Sequence, residues 1–166
     1  QGVTSNYRAD LLLPLMETVR ELTGQSVDER DENITPYRVI ADHSRAATFL
    51  IADGVVPGNT GRNYVCRMII RRAARFGSKL GLKEPFLAKV SQSVIDIYGD
   101  AYPELRKNRN TILDNLTREE KRFQRTVDAG MSHLDDLLDD VRRDGRTMMD
   151  AHKAFDLYAT HGLPLE

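Results

Sequence analysis

Seven cations fall between Gly54 and Lys83 with no acidic residue among them: Arg62, Arg67, Arg71, Arg72, Arg75, Lys79 and Lys83. A guanidinium is planar, permanently charged and presents paired N–H donors, so a row of them suits phosphate or carboxylate oxygens. Arg67, Arg71 and Arg75 are four apart and line one stripe of a helix, with Arg72 beside it and Arg62 one turn earlier. Such a stripe can follow the backbone of a polyanion. It can equally pair with the acids of a neighbouring helix in the same chain. Asn59 adds a different chemistry. It lies in the turn Pro57-Gly58-Asn59 that precedes the helix, where an amide either caps the backbone or projects outward with both a donor and an acceptor. In A-form RNA the shallow minor groove is the edge such a group reaches.

Other reaction chemistry is not expected. His43, His133, His152 and His161 are dispersed, without the cysteine or histidine companions of a zinc site. There is no glycine-rich phosphate loop, no dinucleotide fingerprint and no nucleophile elbow. The carboxylates read as solvated helix faces, none in an apolar setting that would raise its pKa for acid–base work. No complete active site, metal site or cofactor site is predicted.

The elements that must position these residues are helical. Asp10 is the expected N-cap of a first helix through Leu22, ended by Gly24. Residues 25–33 carry charge without an apolar period and read as a surface loop. Thr35-Pro36 opens a second helix to about Ala52. A third follows Asn59, with Tyr64, Val65, Met68, Ile69 and Ala73 expected inward and Gly77 at its end. Pro85 starts a fourth, to Gly99. Beyond Pro103 lies the longest element, two helices joined near 108–110. Its apolar residues Ile112, Leu116, Phe123, Val127, Gly130, Leu134, Leu137 and Val141 form a nearly heptad seam. A last helix from about Asp150 to Thr160 turns Ala154, Phe155, Leu157 and Tyr158 inward. No segment alternates with period two, so the expected fold is all-α, a multi-helix bundle with one long heptad-like helix.

At 166 residues, one domain spanning 1–166 is expected. The 40% hydrophobic and 30% charged composition is that of a soluble, helix-rich protein. No apolar run approaches the roughly 20 residues of a membrane span, and no signal-peptide pattern is present. The formal net charge of -1 conceals the basic segment. The single cysteine, Cys66, excludes an internal disulfide and reads as a small buried side chain in a reducing, cytoplasmic setting. The chain begins at Gln1 without Met and stops after Leu163-Pro164-Leu165-Glu166, so it is expected to be a piece of a longer protein.

Tyr37 to Arg45 (YRVIADHSR), Asp53-Gly54 and Pro57 to Arg72 (PGNTGRNYVCRMIIRR) closely resemble the central helical region of alanyl-tRNA synthetase. GVTSNYRADLLLPL at the start, DAYPELRK at Asp100 to Lys107 and AFDLYATHGLPLE at the end extend the likeness over nearly the whole chain. The resemblance implies part of an ATP-dependent alanine-tRNA ligase. Its catalytic domain, with ATP and Mg, would precede Gln1, and any zinc would lie elsewhere. It implies a tRNA partner, identified by the G·U wobble pair at the third position of the acceptor stem, and neither DNA nor a membrane. By the family's motif, Asn59 corresponds to the asparagine that contacts the wobble pair. Arg62 and the arginines that follow it, Arg67, Arg71, Arg72 and Arg75, correspond to positions near the acceptor-stem backbone.

Two departures stand out. The family's second wobble-contacting residue is the aspartate of an LYDTYG phrase; here the phrase is LYATHG, with Ala159 in that place. A methyl group accepts no hydrogen bond from the guanine amino group, and such a contact is typically worth about 1–3 kcal/mol of discrimination. Arg8 stands where the family commonly has Asp. The leading expectation is thus a tRNA-recognition region that is not catalytic by itself. The alternative is a non-catalytic RNA-binding or helical protein-interaction module.

Overall fold

The computed structural model describes residues 2, 5–145 and 147–159, without the side chains of 158 and 159. Every regular element among them is helical, as expected. A 3-10 turn, Asn6–Arg8, precedes α1 (Leu13–Thr23), α2 (Val27–Glu32), α3 (Ile34–Ala52), α4 (Gly61–Lys79), α5 (Leu87–Tyr98), α6 (Pro103–Lys107), α7 (Arg109–Arg143) and α8 (Ala151–Ala159). The chain divides into two compact units, residues 1–120 and 121–166. No helix among the described residues is long and apolar enough to cross a membrane.

In the first unit α3 is the central helix, packed most extensively on α4 and also on α1, α5, α6 and α2. Its buried face, Tyr37, Ile40, Ala41, Ser44, Ala47, Thr48 and Ile51, recurs at helical spacing, and the small residues within it let neighbours approach closely. Thr48 donates its hydroxyl to the Ser44 carbonyl at 2.6 Å and lies 2.9 Å from the Ser91 hydroxyl, which joins α3 to α5, while the buried Ser44 hydroxyl has no hydrogen-bond partner among the described residues. At its end Gly54 (φ 84°) donates to Ile51 and Val55 to Leu50, a Schellman closure with Val55 buried as its apolar lock. Asn108 donates its amide to the Ala52 carbonyl at 2.9 Å and satisfies the same terminus.

Several boundaries differ from expectation. Leu12, not Asp10, is the N-cap of α1, without a side-chain cap, and Pro14 lies in the first turn. The charged stretch expected as a loop holds α2. Ser26 accepts from the Glu29 N–H at 3.2 Å and Glu29 accepts from the Ser26 N–H at 2.7 Å, a reciprocal capping box that needs no apolar period. Its Arg30 is buried against Glu17 and Asp31. α3 starts at Ile34 with Asn33 as N-cap, so Pro36 sits inside the first turn, where its missing N–H costs nothing.

Gly77 does not stop α4. The helix continues to Lys79, and a second Schellman closure follows, with Gly81 donating to Ser78 and Leu82 to Gly77. Gly77 is instead a point of close approach, because a Cβ there would lie 2.1 Å from Cε1 of Phe86. On α7 the seam residues Ile112, Leu116, Phe123 and Leu137 are buried. In the second unit Leu157 of α8 is buried, whereas Phe155, expected inward, is 63% exposed. Tyr158 and Ala159 have side chains outside the described residues, as do all of 160–166.

Candidate nucleic-acid interface

The basic helix is turned relative to its expected orientation. Tyr64, Val65 and Met68 are 48%, 54% and 45% exposed, while Cys66, Arg67, Ile70, Ala73, Ala74 and Gly77 form the buried stripe. Of the residues expected inward, only Ala73 is buried and Ile69 is half-buried. Both stripes have helical period, so periodicity alone does not choose between them. The buried stripe carries the small residues that permit close packing, and α7 supplies a partner for the arginine within it.

That partner is Glu119. Its carboxylate is buried and accepts a 2.8 Å hydrogen bond from Nε of Arg71, while Nε of Arg67 lies 3.4 Å from the same oxygen outside hydrogen-bond alignment. Arg67 and Arg71 are therefore turned toward α7 and do not face outward as a clamp. Arg67 is buried, Arg71 is held by Glu119 and Arg75 is half-buried. Arg62 and Arg72, by contrast, are exposed. The outward side of α4 thus mixes Tyr64, Val65 and Met68 with Arg72 and Lys79.

Asn59 is exposed and is not the helix cap, since Thr60 occupies that position. Its Oδ1 accepts a hydrogen bond from Nη1 of Arg67. A chain of contacts thus runs from buried Glu119 through Arg67 to an amide at the surface. Nearby, burial holds His43 below its usual pKa and the charge of Arg72 adds to this, against an opposing pull from Asp42, 3.5 Å away. Burial also pushes the Cys66 thiol up to about 11, with Glu119 adding to it, so this cysteine is an inert packing group.

Two buried carboxylates that shape this region were not identified from sequence, Glu119 and Glu120. Glu120 accepts from the backbone N–H groups of Phe86 and Leu87, both at 3.1 Å, and so caps the start of α5. Its burial outweighs those two bonds and raises its pKa to about 7, which corrects the expectation that no carboxylate sits in an apolar setting. The available signal was the seven-residue gap between Leu116 and Phe123 in the seam, where the two glutamates stand.

The geometry is that of a cationic surface with one anchored amide beside it. Residues 1–166 match the family described as tRNA synthetases class II (A). The chain belongs to this family. As a class II synthetase chain it is 46% identical, over all 166 residues, to an alanine–tRNA ligase of Roseiflexus sp. (strain RS-1). It is 45% identical over the same length to that of Herpetosiphon aurantiacus and 43% identical to that of Desulforamulus reducens. It covers 18%, 18% and 19% of these three proteins, so it spans about a fifth of the length of the curated relatives it matches. The resemblance carried by YRVIADHSR and PGNTGRNYVCRMIIRR therefore extends over the whole chain. Ala159 closes α8 in the second unit.

Proposed function

We propose that this segment recognises the acceptor stem of tRNA for alanine, with Asn59 as the reader of the G·U wobble pair and Arg62 and Arg72 as the backbone contacts. The observation that carries the reading is Asn59 itself, an exposed amide outside the helix cap, anchored at its carbonyl and with no partner at its nitrogen among the described residues. A capping asparagine would spend its oxygen on backbone N–H groups; this one does not. In the longer protein such recognition would serve ATP-dependent attachment of alanine, with ATP and magnesium held by a catalytic domain outside residues 1–166. The proposed division of labour places position and affinity on the arginines and selection on the amide.

The test is binding of acceptor-stem minihelices with G·U or G·C at the third pair, measured across a salt series. Arg62→Ala and Arg72→Ala should weaken both RNAs alike, and each should lower the log–log salt slope by about 1. Asn59→Ala should erode the preference for G·U more than the general affinity. Ala159→Asp, which restores an acceptor, should sharpen that preference by about 1–3 kcal/mol. Equal affinity for G·U, G·C and random duplex RNA, without a salt effect, would overturn the proposal.

A further inference from the structure

We propose that Arg67, held by Glu119, is the positioning residue for Asn59, and that it fixes the amide so that Asn59 meets RNA with its NH2 group, as a hydrogen-bond donor. This rests on the reading of Asn59 as the wobble-pair contact.

The argument begins with donor inventory. A guanidinium has five N–H donors and no acceptor, so only the oxygen of an asparagine amide can face it. Arg67 donates from Nη1 to Asn59 Oδ1, and a flipped amide would set N–H against N–H. The orientation follows from chemistry. What remains outward is the NH2 group, while Oδ1 is turned toward Arg67.

Arg67 is itself held. It is 8% exposed, and Glu119, at 5%, lies against it. That carboxylate is shared, because Arg71 takes the 2.8 Å hydrogen bond while Arg67 stands at 3.4 Å from the same oxygen. One negative charge thus faces two positive ones, and the N–H groups of Arg67 that Glu119 leaves over need another acceptor. Asn59 Oδ1 supplies it. A buried guanidinium whose place is set by α7 is a rigid post, and a side chain bonded to it at the surface gives up its rotameric freedom before RNA arrives.

The consequence concerns what is read. The guanine amino group is a donor and cannot bond to an outward NH2. Acceptors on the pair can, namely a base carbonyl or ring nitrogen or the ribose 2′-hydroxyl. Wobble geometry displaces uracil relative to cytosine and moves its carbonyl, so a fixed donor can tell the two apart.

Four variants and one additional RNA test this. The probes are minihelices with G·U, G·C or inosine·U at the third pair, and the 15N–1H signals of the Asn59 side-chain amide are followed in parallel. Arg67→Met should cut the G·U over G·C ratio about tenfold and move the Asn59 amide signals to solvent-averaged positions, with helix content retained. Arg67→Met/Glu119→Gln, which removes one positive and one negative charge together and so leaves the net charge of the cluster unchanged, should do the same. Asn59→Asp keeps the link to Arg67 but faces an acceptor outward, so it should lose the G·U preference. Inosine lacks the guanine amino group, and the effect of Asn59→Ala should be unchanged on that RNA. The inference falls if the double variant keeps both the ratio and the amide signals, if Asn59→Asp retains or raises the preference, or if inosine abolishes the effect of Asn59→Ala. Equal binding of G·U and G·C by the unaltered chain would instead overturn the functional reading. The amide signals would then still decide whether Arg67 anchors Asn59.

Discussion

Replacing Glu119 by Ala removes one carboxylate from two guanidiniums at once. The Arg67 side chain is 10% exposed and that of Arg71 19%, while Glu119 is 6% exposed. Breaking a buried ion pair by deleting one partner costs about 3–5 kcal/mol, because the orphaned charge stays desolvated. Arg71 has some access to water, which places the expectation near the lower end, about 3 kcal/mol, or roughly 10 °C in Tm for a unit of this size. The same physics predicts that Arg67→Met/Arg71→Met/Glu119→Leu, which removes all three charges, folds within about 1 kcal/mol of the unaltered chain or above it. Urea unfolding followed by circular dichroism measures both, at low salt and again near 0.5 M. The loss from Glu119→Ala should persist at high salt, since a buried pair is poorly screened. A loss under about 1 kcal/mol that fades with salt would refute the reasoning, because it would mean that the carboxylate is solvated and that the arginines are free to face outward.

The raised pKa of Glu120 makes stability depend on pH. Its ordinary value is 4.5 and its folded value about 7, so the fold favours the protonated form. The contribution is fully present below about pH 4.5 and is lost as pH rises through 7, a change of roughly 3 kcal/mol. Unfolding midpoints should therefore fall more steeply with pH in the unaltered chain than in Glu120→Gln, and parallel profiles would contradict the assignment. Gly77→Ala should lower stability although alanine favours helix by about 1 kcal/mol. Its Cβ would meet the Phe86 ring at 2.1 Å, an overpacking typically worth about 1–3 kcal/mol. Thermal melts of Gly77→Ala and of Gly77→Ala/Phe86→Leu check this, the double variant recovering the loss.

Local signals in the sequence located much of the architecture. Helical apolar periods placed α1, α3, α4, α5 and α7, and Gly24 ends α1 as expected, in the left-handed conformation. The capping box Ser26-Val27-Asp28-Glu29 was present but obscured by the absence of an apolar period around it. Gly77 shows why glycine is ambiguous, since the same residue type ends helices and admits close neighbours.

The candidate interface divides along the same line. Residue types and spacing by themselves determined that Asn59 stands just ahead of a helix dense in arginine; that Ala159 stands in an acceptor's place is what the resemblance to the family implies. Which arginines face water was decided only by the tertiary structure. α4 carries two stripes of helical period, and the choice between them depends on what lies across from each. Glu119, about fifty residues downstream, makes it possible to bury Arg67 and binds Arg71, leaving Arg62 and Arg72 exposed. A charged side chain goes inward only where a distant partner offsets its desolvation, and spacing along the chain does not encode that partner. The orientation of the Asn59 amide follows from the same contact.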